Sequence, residues 1–356
     1  MKILCITENL GSGGAERQLC GLAIELKNKG YDVKVVTYLE NQFYQPMLEN
    51  SGIAYEFLPE LWPKWTRIWR MAKLVKREKA DVVISYLTAV NRSMCIAKPL
   101  FNAKLIISER NTNQSVSIKD QITYFLYRWA DKIVCNSYSQ KNFVKTNFPK
   151  LKHKTHTITN FVDTEKFKPG QKRVLNEIPQ IVTVARYGEQ KNCENYLKAI
   201  QICKERGISA QFHWYGNKTF DVEYYKKIEE LQQDFGLVDI LTLHTPHNNI
   251  VDIYQQADAF CLPSYYEGFP NVLCEAMSCG LPVACSNVCD NPYIVKDTKC
   301  ALLFDPNDPE EIANQLMRLA SMNMEERSMI GKDNRNRILG LCSMEHFISE
   351  YENIIC

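Results

Sequence analysis

The chain has 356 residues, 45% hydrophobic and 24% charged, and a formal net charge of +2. That length exceeds what one core usually supports, so two domains are expected. The 14 Cys include no C-x-x-C pair and several sit in apolar runs, which excludes a disulfide scaffold and indicates reduced thiols in a cytosolic protein. The start, MKILCITE, runs straight into a strand rather than a signal peptide. No uncharged apolar run approaches the roughly 18 residues of a membrane span. The small net charge hides an asymmetry: residues 1–170 carry 26 Lys or Arg against 15 Asp or Glu, and the remainder 17 against 26. The basic half should therefore meet something anionic.

In chain order, short β-branched runs predict strands at 2–7, 32–38, 53–58, 81–86, 104–108, 131–136 and 155–159. Amphipathic stretches between them predict helices near 14–29, 67–79, 88–98, 118–129 and 138–147. Such alternation implies a parallel sheet covered on both faces. Residues 160–179 are polar, with Pro and Gly and no period, and are expected to form the linker. The pattern then restarts, with strands at 180–185, 210–215, 239–243, 257–262, 282–285 and 301–304. Its helices are expected at 191–206, 222–235, 249–256, 271–279, 308–321 and 324–338. The last segment, SMEHFISEYENII, spaces Phe347, Tyr351 and Ile354 helically, as for a helix packing back on the first domain. The expected division is thus 1–165, 166–340 and a C-terminal helix over 341–356. Two doubly wound sheets would face each other across a cleft, with ligands at the carboxyl ends of the strands.

Four stretches carry chemistry. After the first strand, NLGSGGAERQ places Gly11, Gly13 and Gly14 where a backbone can approach an oxygen-rich ligand. It is neither a dinucleotide fingerprint, since position 16 is Glu16, nor a Walker loop. WPKWTRIWRMAKLVKREK, residues 62–79, holds three Trp and seven basic residues with one Glu. Its stripe of Trp65, Ile68, Trp69, Ala72 and Val75 fits a crossover helix covering the sheet. An interfacial helix is the second reading, with Trp62, Trp65, Arg67, Arg70 and Lys73 meeting anionic lipid. Nucleic acid would also suit a basic half, but no recognition motif supports it.

The third is IVTVARYGEQKN, where Arg186 leaves a strand end and Lys191 follows five residues later. Two cations there suit a diphosphate leaving group. The fourth, EGFPNVLCEAMSCG, separates Glu267 and Glu275 by seven residues around a predicted helix start. Pro270 suits the first helical position, and the N–H groups behind it favour an anion. One carboxylate in the loop and another a turn into the helix suit a ligand with hydroxyls at both ends and phosphate between, such as a nucleotide sugar.

In this order the patches GGAER (13–17), R-x4-K (Arg186, Lys191) and EGFPNVLCEAMSCGLPV (267–283) resemble the GT-B retaining glycosyltransferases, specifically family 4. Weaker matches are CNSYSQKNF, ITNFVDTEKF and DPNDPEEIA. The resemblance implies that Glu275 holds the ribose hydroxyls and Glu267 contacts the donor sugar. It implies that backbone groups from Gly268 through Phe269, Pro270 and Asn271 to Val272 take sugar hydroxyls and phosphate. Arg186 and Lys191 would stabilise the diphosphate, with Gly13 and Gly14 near the donor phosphate. The base would lie by His244–Pro246, where this chain departs from the family with HTPH. It also departs after the fifth strand, where many relatives carry His and this chain reads ISERNTN. Glu109, Arg110 and Asn111, with Glu16 and Arg17, become the acceptor-side candidates.

The wording of ISERNTN and EGFPN resembles relatives that move N-acetylhexosamines in surface-polysaccharide assembly. The implied activity is retaining transfer of a hexose or N-acetylhexosamine from a nucleotide sugar, UDP-linked, to a saccharide or polyprenyl-linked acceptor at the inner membrane face. No cofactor is implied. No metal is required either: D-x-D is absent from the sequence, and Arg186 and Lys191 supply the positive charge. The pairs His153/His156 and His244/His247 read as loop residues rather than ligands. Two other classes stay open. An epimerase or phosphorylase on the same scaffold would hydrolyse or epimerise donor without acceptor. A catalytically silent subunit would bind UDP and release none from any nucleotide sugar.

Overall fold

The computed structural model describes residues 1–61, 64–110, 112–170, 176–247 and 249–356, with the backbone alone described for Lys64 and Trp65. The chain divides into two compact units. One comprises Met1–Phe161 with Glu345–Cys356, the other Val162–Met344.

In the first unit, elements alternate as β1 (Lys2–Ile6), α1 (Gly14–Asn28), β2 (Asp32–Thr37), α2 (Gln45–Asn50), β3 (Ala54–Phe57), α3 (Lys64–Glu78), β4 (Val82–Tyr86) and α4 (Thr88–Ala97). They continue as β5 (Lys104–Glu109), α5 (Ile118–Leu126), β6 (Lys132–Cys135), α6 (Tyr138–Asn147) and β7 (Thr155–Thr157). The strands pair in parallel in the order β3-β2-β1-β4-β5-β6-β7. The central β4, VVISY, is buried along its whole length, as a strand covered on both faces must be. Strand order reverses between β1 and β4, so the loops following them diverge and leave a crevice at their carboxyl ends. Helices α3 to α6 share one core with Leu4, Val83, Leu105, Ile107 and Ile133 of the sheet.

Two helices in that layer depart from their sequence patterns. In α3 the buried stripe is Met71, Ala72, Leu74 and Val75, while Trp69 is 72% exposed. The expected apolar stripe was therefore one residue out of phase at Trp69. Arg67, expected on a lipid-facing surface, is buried: its Nε donates to Leu61 O at 2.9 Å and its guanidinium lies 4.8 Å from the Tyr38 ring centroid. An extended guanidinium can be buried once a carbonyl and an aromatic face replace water. In α5 the inner face is Thr123 and Tyr124, continued by Tyr127 in the following 3-10 turn, and the outer face carries Ile118, Ile122 and Phe125.

The second unit runs β8 (Gln180–Val184), α7 (Cys193–Glu205), β9 (Gln211–Tyr215), α8 (Val222–Asp234), β10 (Leu241–His244), α9 (Ile250–Gln256) and β11 (Ala259–Leu262). It continues with α10 (Asn271–Ser278), β12 (Val283–Ser286), α11 (Asn291–Val295), β13 (Leu302–Phe304), α12 (Pro309–Ser321) and α13 (Met324–Leu341). Its parallel order is β10-β9-β8-β11-β12-β13, reversing between β8 and β11. The short helices α2 and α11, each with Pro in its first turn, were not anticipated.

The last helix, α14 (Met344–Ile355), belongs to the first unit except for its opening residue. Phe347 packs on Phe161 with ring centroids 5.1 Å apart, and the Tyr351 and Tyr86 hydroxyls lie 3.0 Å apart. Arg110 completes this lock. It lies 4.4 Å over the Tyr86 ring, donates to the Tyr86 and Tyr351 hydroxyls, and donates to Asn160 Oδ1 at 2.8 Å. Among the described residues no helix is long and apolar enough to cross a membrane.

Candidate active site

The reversal between β8 and β11 throws two loops together, and both carry residues singled out in the sequence. After β8 the chain makes a 3-10 turn, Glu189–Lys191, and then enters α7 through Asn192 in the left-handed region at φ 60°. A non-glycine residue there costs backbone energy that the surroundings must offset. Here Asn192 is buried and its Nδ2 donates to Pro263 O at 2.9 Å and Pro306 O at 2.7 Å. The loop after β11 is tied to the same turn by Gln190 Nε2 to Tyr266 O at 2.8 Å and Tyr265 N to Gln190 O at 2.9 Å.

Those ties bring the Lys191 ammonium to 2.5 Å from Glu267 Oε1, with the two side chains only 14% and 8% exposed. Ser264 Oγ donates to the same oxygen at 2.6 Å, and Ser264 is itself held by Ser286 Oγ on its carbonyl at 2.6 Å. Among the described residues Oε2 of Glu267 and the remaining N–H groups of Lys191 have no protein partner. The couple thus keeps an acceptor and donors available to a ligand.

Beyond Glu267, Phe269 is buried in the core and anchors the loop. Pro270 precedes the first helical residue instead of occupying it, at φ −74° and ψ 108°, and no side chain caps α10. The shift is one residue and leaves the helix start pointing back along the loop that carries Glu267. Glu275, in the second turn, is buried and accepts from the Tyr254 hydroxyl at 3.4 Å. Arg186 is exposed, bonded to Gln190 Oε1 at 2.7 Å and stacked 4.4 Å from the Phe220 ring centroid.

Beside these loops, Gly216 follows β9 so closely that a Cβ there would collide with the carbonyl of Ala185. His244 ends β10 with its ring stacked on Tyr215 at 4.2 Å and hydrogen-bonded to His213 at 3.0 Å. Burial and the neighbouring Lys218 and His247 push the His244 pKa down. Tyr187 fixes this edge: its single O–H is shared between Trp214 O and His244 O, each 3.0 Å away. The sequence reading missed Ser264, Asn192 and Gly216. Their only signals were adjacency to Lys191, a serine three residues before Glu267, and a glycine ending a strand.

The first unit places its candidates differently. Gly13 and Gly14 open α1, with Gly11 N donating to Asn9 Oδ1 at 2.9 Å. The Glu16 carboxylate folds over Gly13, and burial, with the charge of Glu8, raises its pKa. Arg17 lies in the next turn of the same helix. At the switch between β1 and β4 lies a cavity of about 390 Å³ bordered by Glu8, Thr88, Arg92, Glu109, Asn113 and Tyr124, among others. Leu87, at φ 72°, forms its rim. Glu109 is buried at the end of β5 and accepts from Asn91 Nδ2 at 3.1 Å and from the Tyr127 hydroxyl. Burial raises its pKa against the opposing effect of those bonds and of Arg92. Arg110, grouped with Glu109 in the sequence, is turned to α14 instead. Of the surface candidates on α3, Arg70 and Lys73 are exposed. Asn111, Trp62 and the side chain of Trp65 lie outside the described residues. Among the described residues no cluster of His, Cys, Asp or Glu could hold a metal ion.

Two Rossmann-like α/β units in tandem, the second carrying cations and carboxylates at its switch point, have the architecture of the GT-B class. Residues 12–166 match the model for Glycosyltransferase Family 4, and residues 164–337 match the model for Glycosyl transferases group 1. The chain is a glycosyltransferase of GT-B fold. It is 25% identical to the UDP-Gal:alpha-D-GlcNAc-diphosphoundecaprenol alpha-1,3-galactosyltransferase of Escherichia coli, over 88% of this chain and 86% of that protein. It is 27% identical to a Campylobacter jejuni GalNAc-alpha-(1->4)-GalNAc-alpha-(1->3)-diNAcBac-PP-undecaprenol alpha-1,4-N-acetyl-D-galactosaminyltransferase, over 89% and 88%. Its fold matches Anabaena Alr3699/HepE, crystallised with UDP and glucose, at a TM-score of 0.86 and 16% identity, covering 100% of this chain and 99% of that one.

Proposed function

We propose that the chain is a retaining, metal-independent transferase that moves a hexose or N-acetylhexosamine from a UDP-sugar to a saccharide carried on a polyprenyl diphosphate. The observation that carries this reading is the Lys191–Glu267 couple, assembled at the switch point with unfilled donors and an unfilled acceptor oxygen. The names of the two curated relatives, both acting on undecaprenyl-linked saccharides, support the acceptor class. The UDP in the Anabaena complex supports the base.

In this reading Arg186 and Lys191 face the diphosphate and neutralise the charge that grows as the sugar–oxygen bond breaks. Fixed cations in a site shielded from water stabilise such charge more than water does. Glu267 orients the sugar through its free oxygen, Glu275 takes the ribose hydroxyls, and backbone groups from Gly268 to Val272 take sugar hydroxyls and phosphate. The acceptor hydroxyl attacks on the face the diphosphate leaves. Its oxygen forms the new bond to the anomeric carbon, the old bond's electrons go to the phosphate oxygen, and that oxygen takes the proton. No side-chain nucleophile enters, and a metal is unnecessary where two cations already supply the charge.

Glu109 and the polar wall around it, with Glu16 and Arg17, form the acceptor side. The enzyme works at the cytoplasmic face of the membrane, which the outward face of α3 meets through Trp69, Arg70 and Lys73. The test is a donor screen for UDP or GDP release against a panel of nucleotide sugars, with and without chelator. Release of UDP from one hexose or N-acetylhexosamine donor, dependent on a lipid-linked saccharide and indifferent to chelator, is expected. GDP release, or loss of turnover on chelation, would overturn the respective part.

A further inference from the structure

The outer face of α5 carries Ile118, Ile122 and Phe125, which are 78%, 55% and 55% exposed. Their spacing of four and then three residues sets them in one line along the helix. Trp129 extends the line, edge-on to Phe125 with centroids 5.9 Å apart. Arg128 spreads over both rings, 3.9 Å from the Phe125 centroid and 4.5 Å from the Trp129 centroid. A row of large apolar side chains facing water on one helix calls for a partner.

The charge around this row says which. Residues 114–154 hold eight Lys or Arg and only two Asp. Both Asp are already engaged: Asp120 closes the capping box of α5 with Ser117, and Asp131 pairs with Lys98 at 2.9 Å. Exposed Lys119 and Arg128 flank the row, and Lys150, Lys152 and His153 stand exposed on the 3-10 segment that packs beside Trp129. A basic depression of about 710 Å³, bordered by Lys98, Arg128, Trp129, Lys132, His153 and Lys154, opens at the end of the row.

We propose that the outer face of α5 is a membrane-docking surface whose partner is the anionic leaflet of a phospholipid bilayer. Aliphatic and aromatic side chains enter the boundary between headgroups and acyl chains, while the surrounding cations hold lipid phosphates. The arrangement is distinct from the basic face of α3, because α4 contacts both helices and stands between them. It also has a consequence for the acceptor. The inner face of the same helix, with Thr123 and Tyr124, lines the cavity that holds Glu109. A helix is about 10 Å thick, so docking through α5 would hold that cavity next to the leaflet bearing a lipid-linked saccharide. This consequence rests on the acceptor reading above; the docking surface itself does not.

The test is flotation of the full-length protein with vesicles of phosphatidylglycerol and phosphatidylcholine in equal parts, without nucleotide or acceptor. The variant Ile118→Ser/Ile122→Ser/Phe125→Ser should bind at least about tenfold more weakly at an unchanged melting temperature. The single Ile118→Ser, at the most exposed position, should shift binding in the same direction by less. Arg128→Glu/Lys132→Glu should weaken binding at low salt and approach wild type at high salt, and pure phosphatidylcholine should float little protein. Wild-type flotation of the triple variant would overturn the proposal. So would a wild-type dimer that the triple variant abolishes without changing vesicle binding, since the face would then belong to a second copy. Vesicle binding without any nucleotide-sugar turnover would sink the enzymatic reading and leave the docking surface standing.

Discussion

Both units reverse their strand order once, and each fills the resulting crevice with a carboxylate, yet the two carboxylates live under different electrostatics. In the second unit Glu267 meets Lys191 at 2.5 Å and a serine hydroxyl at 2.6 Å. In the first, Glu109 meets an amide and a phenol, with no ion pair among the described residues, and burial raises its pKa. The paired site is already organised for charge, as a diphosphate leaving group demands. The unpaired one leans toward neutrality, as suits an uncharged sugar hydroxyl. On the proposed reading, the scaffold would separate handling of charge from handling of polyol by what it sets beside a single carboxylate.

The contrast can be broken in order of expected effect. Glu267→Ala leaves the shielded Lys191 ammonium without its partner and should cost about 3 kcal/mol of stability, read by thermal or urea denaturation. A variant as stable as wild type would mean the pair is not load-sharing with the loops. Asn192→Ala removes two buried hydrogen bonds from a left-handed residue and should cost about 2 kcal/mol, with UDP affinity falling in parallel. Ser264→Ala withdraws one donor from Glu267 and should cost about 1 kcal/mol; the same loss at Lys191-dependent turnover is expected, read as kcat.

Glu109→Gln should change stability least and with the opposite sign. Because the folded pKa is raised, the unfolded chain releases its proton first, and the native state loses stability as pH rises above the ordinary Glu value of about 4.3. The variant should remove that decline, so its advantage over wild type grows from acid toward neutral pH. A wild type that gains stability over the same range relative to Glu109→Gln would reverse the assignment.

The placement of Arg186, Lys191 and Glu267 was legible because these residues flank strand ends. Arg186, Lys191 and Glu267 each follow a run whose burial on both faces is unmistakable, and parallel topology then leaves them one crevice to share. The residues holding them were less legible. Asn192 acts through contacts 71 and 114 residues away in sequence, Ser264 is held for its neighbour Glu267 by a contact 22 residues away, and Gly216 makes room for a carbonyl just past β8; local pattern carries none of these.

Helix phase was the other failure. Arg67 and Trp69 exchange their expected places because an aromatic face and a carbonyl accept the guanidinium, and two residues on a helix differ by more than half a turn. In α5 the error would run the opposite way: Ile118, Ile122 and Phe125 have the spacing of a core stripe, yet Thr123, Tyr124 and Tyr127 are the residues inside. Periodicity locates two faces of a helix and leaves open which one the sheet takes.

In the proposed mechanism Lys191 neutralises the departing diphosphate, and turnover of Lys191→Ala tests that role most directly. With melting temperature and UDP binding followed alongside, the expected result is a folded protein whose kcat falls by at least about a hundredfold. Full turnover in a folded Lys191→Ala protein would contradict the claim.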